Sequence, residues 1–130
     1  MIRFIPILFA AVSFSLSPIL AQEKTATILI QKDLADLPEK EGMMMTVEYP
    51  PGASSPKHRH NAHTFVYVLE GSVIMQVEGG DEMVLKAGET FYENPNDIHI
   101  LSKNASETES AKILVFFVKK QGAPVSTPVP

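Results

Sequence analysis

Three of the chain's four histidines, His58, His60 and His63, stand close together in the stretch Gly52–Gly71, GASSPKHRHNAHTFVYVLEG. The fourth, His99, follows in GETFYENPNDIHI. In extended backbone, residues i and i+2 project from one face, so His58 and His60 can turn two imidazoles toward one point. Neutral imidazole is the commonest metal ligand, and a site that closes on a distant residue such as His99 also ties the chain together. The chemistry on offer is chelation of a transition-metal ion. The chain has no cysteine, which removes thiolate ligands, disulfides and a cysteine nucleophile together. Any ion must therefore be held by nitrogen and oxygen. Taken alone, Lys57–His60 reads more simply as a basic surface loop; the surrounding spacings and the fourth histidine favour chelation.

Those spacings resemble the first motif of the cupin family. Gly52, five residues, His58, one residue, His60, three residues, position 64, six residues and Gly71 fit it throughout. The departure is Thr64, which stands at the family's glutamate ligand, with His63 immediately before it. The second motif matches more loosely. Five residues after Gly88 comes Asn94 in place of proline, then Asn96 in place of glycine, His99 in register, and Lys103 at the family's asparagine with Asn104 one place later.

The resemblance implies an all-β fold, an antiparallel double-stranded β-helix or jelly roll, with one divalent transition metal (Fe, Mn, Zn, Cu or Ni) held inside by His58, His60 and His99. A fourth ligand lies between two choices. In an unbroken strand Thr64 shares the inner face with His58 and His60, whereas a bulge or bend after His60 would swing His63 inward. His63 is the expected ligand, with Thr64 in its place if no such bend exists. Without the glutamate, the charge of a divalent ion is uncompensated, which favours anionic partners. The resemblance further implies a small oxygenated substrate and a metal-dependent dioxygenase or isomerase. The alternative is a non-catalytic module that binds metal or a small ligand for sensing, because a fold does not fix a function. Tyr92, Glu93 and Asp97 are the candidates for a proton donor or base, although strand glutamates and turn aspartates are usually plain surface residues. Gln76 is read as an orienting, substrate-binding amide inside the barrel; a solvent-facing position explains it equally.

The elements that must position these residues are strands. Thr25–Gln31, Met43–Tyr49, Thr64–Leu69, Val73–Val77, Glu82–Leu85, Glu89–Glu93, Ile98–Ser102 and Ala111–Lys120 carry β-forming residues between turn signals such as Pro50-Pro51-Gly52, Gly79-Gly80-Asp81 and Asn94–Asp97. Met43, Met44 and Met45 alternate faces in such a strand, so they are core and not a thioether copper site. Thr64–Leu69, Ser72–Val77 and Lys112–Val118 are apolar on both faces. One face meets the interior of a two-sheet barrel and the other needs a flap or a second subunit, hence an expected homodimer. Gln121–Pro130, with three prolines and no periodic face, is expected to be a flexible extended tail.

Met1–Ala21 reads as a secretory signal, with Arg3 as its basic start, an apolar stretch over Phe4–Leu20 and a cut before Gln22. The expected product is one barrel domain over residues 22–120, periplasmic or secreted. No later apolar run is long enough to cross a bilayer. The net charge of −4, with no basic stripe, argues against a nucleic-acid partner.

Overall fold

The computed structural model describes residues 22–130, so the signal reading of Met1–Ala21 lies outside the described residues. Alternation of buried and outward residues organises the strands around the core. The strand Ala111–Lys120 buries Ala111, Ile113, Val115, Phe117 and Lys119 and turns the residues between them outward. The strand His63–Glu70 does the same with Thr64, Val66 and Val68. Burial with a period of two is what a sheet over a core requires.

In chain order the strands are β1 (Thr25–Asp33), β2 (Lys40–Tyr49), β3 (His58–Arg59), β4 (His63–Glu70), β5 (Ser72–Val77), β6 (Met83–Lys86), β7 (Thr90–Glu93), β8 (His99–Asn104), β9 (Ala111–Lys120) and β10 (Thr127–Pro128). They form two five-stranded sheets, ordered β1-β2-β9-β4-β7 and β10-β3-β8-β5-β6, and every pairing is antiparallel. Among the described residues no helix forms, and none is long and apolar enough to cross a membrane. This is the expected all-β jelly roll.

The core lies between the sheets. Met43, Met45, Val47 and Tyr49 of β2 and the inward residues of β4 and β9 face Val73 and Met75 of β5 and Leu85 of β6. Burying each of the larger side chains contributes roughly 1.5–3 kcal/mol relative to exposure. Met44 points the other way, in keeping with the alternation expected of the three methionines. Gly71 sits at a φ of 69°, and a Cβ there would come within 2.6 Å of the Ser110 carbonyl oxygen. The motif glycine is thus demanded by a tight turn with backbone close behind it.

One part of the fold differs from expectation. The tail is docked, not free: Thr127 and Pro128 pair with Arg59 and His58, and Val125 packs on the core. Lys119 Nζ also donates to the Ala123 carbonyl at 2.6 Å, which pins the start of the tail.

Candidate metal centre

His58 and His99 are register partners across β3 and β8, so their rings meet on one face of the second sheet. A β-bulge sets this up. Strand β8 pairs Leu101 with Gln76 and then His99 with Val77, which leaves Ile100 as an extra residue. In an unbroken strand His99 would share the face of Leu101; the bulge turns it inward, onto the buried side of Ser102.

One ligand-type atom from each of His58, His60 and His99 lies within 4.8 Å of the others. His58 Nδ1 bonds the Pro56 carbonyl at 2.8 Å and His60 Nδ1 bonds the Val125 carbonyl at 2.7 Å. A carbonyl only accepts, so both Nδ1 atoms carry the proton and both Nε2 atoms carry a lone pair. Those two lone-pair nitrogens lie 3.1 Å apart. His99 is 3% exposed and neither of its ring nitrogens has a hydrogen-bond partner. Burial pushes His58 down to about 4 and lowers His60, so both are neutral near pH 7. Neutral, convergent and partly unsatisfied nitrogens are what a divalent ion requires, and the residues fit one.

The sequence candidates divide sharply. A bend does follow His60, with Asn61 at a φ of 53°, yet the chain resumes with Ala62 and Thr64 inward. His63 is exposed on the outer face, where its Nδ1 meets the Tyr92 hydroxyl at 2.6 Å. The expectation that His63 reaches the ion is therefore corrected: alternation along β4 carries it to the opposite side of the sheet. Thr64 does line the cavity, but its hydroxyl donates to the Ala62 carbonyl at 3.3 Å.

Tyr92 lies outside with His63, and Asp97 closes the Asn94–Asp97 turn by accepting from the Asn94 backbone N–H at 2.7 Å. Gln76 also points away from the interior, its amide donating to the Gly80 carbonyl at 2.9 Å within a hairpin. None of these three reaches the histidine cluster. Glu93 does. It is 2% exposed, with Oε1 3.1 Å from His99 Nδ1 and Oε2 3.8 Å from His60 Nε2.

Beside the histidines is a cavity of about 290 Å³, walled mainly by Met45, Val47, Val66, Met75, Ile113 and Phe117. Lys24 and Ser126 also line it. Lys24 Nζ donates to Ser55 Oγ at 2.6 Å, and burial holds its ammonium below the usual lysine range. Neither Lys24 nor the Val125 carbonyl was flagged by the sequence, because both come from the ends of the described residues, where no periodicity points inward.

The sequence model for the Cupin domain matches residues 45–117. Among solved structures, oxalate oxidase in complex with the substrate analogue glycolate is 24% identical, with a TM-score of 0.62, over 82% of this chain and 61% of its own. A DMSP lyase from Ruegeria pomeroyi is 18% identical, with a TM-score of 0.59, over 68% of this chain and 43% of its own. A cupin 2 conserved barrel domain protein from Salinispora arenicola is 20% identical, with a TM-score of 0.55, over 72% of this chain and 74% of its own. The chain thus spans less than two thirds of the lyase and of the oxidase. No curated protein matches.

Proposed function

This chain belongs to the cupin family, and from that premise we propose that it is an exported metal-binding protein whose ion, held by His58, His60 and His99, serves an oxygenase-type reaction on a small oxygenated molecule. The observation that carries this reading is the pair of lone-pair nitrogens 3.1 Å apart beside the buried, unpartnered ring of His99. A redox-active ion in that place would supply Lewis acidity and electron transfer. The protein's own part is plain. The Pro56 and Val125 carbonyls hold the tautomers, apolar side chains form most of the wall, and Lys24 offers a cation at the cavity.

The cavity falls near the lower end of the usual ligand-pocket range of roughly 300–1,000 Å³, which favours a small substrate. Glycolate, bound in the oxalate oxidase structure, is a small hydroxy acid of that kind. The similar structures include both a lyase and an oxidase, so the reaction type rests on the site and not on them. One observation favours a binding-only module instead. Apart from Lys24, Glu93 and the histidines, the wall is mostly apolar, and the hydroxyls of Thr64 and Ser102 are already engaged. The experiment is to load the protein with iron or copper and offer small enols, phenols, diketones and hydroxy acids. Oxygen uptake supports the enzyme; calorimetric binding without turnover supports the module.

Export rests on Met1–Ala21, and protein recovered from the periplasm should begin at or near Gln22. An intact Met1 there would contradict it. A homodimer is proposed from the outer face of β4 and β7, where Phe65, Tyr67, Leu69 and Tyr92 are exposed.

A further inference from the structure

The family pattern places a glutamate at position 64, where this chain has threonine. Thr64 and Glu93 are register partners across β4 and β7, and both side chains point into the barrel. Directly opposed residues in an antiparallel pair have Cβ atoms about 4.5–5.5 Å apart, within the reach of a glutamate side chain. We infer that Glu93 supplies the carboxylate of the metal centre from the neighbouring strand, in place of the residue that Thr64 displaces. The inference rests on the proposed metal site and names its fourth ligand.

Three observations support it. Glu93 Oε1 and His99 Nδ1 lie 3.1 Å apart but are not aligned for a hydrogen bond, and both atoms are buried without another partner. Donor atoms bound at about 2.0–2.2 Å to one ion sit roughly 3–3.5 Å apart, so two close but unbonded atoms are the spacing of neighbours in a shared coordination shell. Secondly, Oε2 lies 3.8 Å from His60 Nε2, the same nitrogen that faces His58. The carboxylate therefore approaches the centre from the sheet opposite His58 and His99. Thirdly, among the described residues no lysine or arginine forms an ion pair with Glu93. An ionised carboxylate buried without a cation is costly, and an ion among the histidines removes that cost.

The charge at the centre changes accordingly. A divalent ion with three neutral imidazoles and one carboxylate keeps a net charge of +1, not +2, so the loss of glutamate at position 64 is compensated. The site is then less dependent on an anionic partner than the sequence implied.

The test is metal affinity by chelator competition, with the electron paramagnetic resonance spectrum of the Cu(II)-loaded protein as a second readout. Glu93→Ala and Glu93→Gln should each weaken binding at least about tenfold and change the spectrum. Thr64→Ala should leave both unchanged, and the double variant Thr64→Glu/Glu93→Ala should recover most of the lost affinity. The Glu93→Gln change keeps the shape and the packing beside His99 and removes only the negative charge. Wild-type affinity and spectrum in that variant would therefore overturn the inference and leave Glu93 as a positioning residue for His99. Absence of recovery in the double variant would overturn the exchange of positions. A wild-type protein that binds no metal would instead overturn the proposed site itself, which keeps the two failures apart.

Discussion

Each imidazole at the centre is fixed by something specific. Pro56 and Val125 carbonyls hold the His58 and His60 tautomers, while His99 is turned inward by the extra residue Ile100. Replacing His58 or His60 by alanine should abolish stoichiometric metal binding, and His63→Ala should leave it intact, as measured by elemental analysis. Loss of metal in His63→Ala would place that residue back at the ion. The i, i+2 spacing of His58 and His60, and the inward parity of Thr64, were legible in the sequence because alternation is local. Glu93 was legible only as a residue near His99, because its importance comes from register: nothing in the one-dimensional chain states that position 93 pairs with position 64. His63 was misplaced for the opposite reason. A bend between His60 and Thr64 was one of the two alternatives; it falls at Asn61, and its direction depends on backbone angles that composition does not specify.

At the scale of elements, the two-residue strands β3 and β10 show where pattern reading stops. Neither is long enough to display a period, and the three prolines of Gln121–Pro130 signal a chain without structure. The tail is nonetheless ordered by backbone pairing with β3 and by its contact with His60. Truncation after Pro124 removes Val125 and β10 but keeps the Lys119–Ala123 bond. It should lower metal affinity by roughly tenfold, the usual effect of removing a partner that orients a ligand. Unchanged affinity in the chelator assay would show that the tail only covers the surface. The long strands, by contrast, were legible almost to their ends, since Ala111–Lys120 has the same bounds in sequence and structure and β2, β4 and β8 differ by a few residues. Their runs of β-branched and aromatic residues between turn signals mark them as strands, although a sequence apolar on both faces does not say which face is buried.

Across the whole molecule, charge and apolar surface set stability and assembly. Lys119 donates to Glu41 inside the barrel, and Gln31 Nε2 adds a second bond to the carboxylate at 3.0 Å. The Lys119 bond, then the Gln31 bond, hold Glu41 below the ordinary carboxylate value of 4.5. The unfolded chain therefore takes up this proton first, and the contribution of Glu41 is fully present above about pH 4.5 and is lost as pH falls through its lowered value. Glu41→Gln should flatten that part of the acid limb in thermal melts, and an unchanged limb would remove Glu41 from it. On the outside, Tyr67→Asp, placed amid Phe65, Leu69 and Tyr92, should convert the proposed homodimer to a monomer in light scattering after gel filtration. A wild-type monomer at micromolar concentration would contradict the dimer. The need to cover a two-faced strand was readable from sequence; what covers it depends on a surface that only the folded sheets assemble.

The most direct measurement is elemental analysis of untagged protein purified without chelator, beside a His58→Ala/His60→Ala control. One transition-metal ion per chain in the wild type, lost in the control, is the predicted result. Wild-type protein that holds no ion after exposure to iron, zinc, copper, nickel and manganese would contradict a metal centre at His58, His60 and His99.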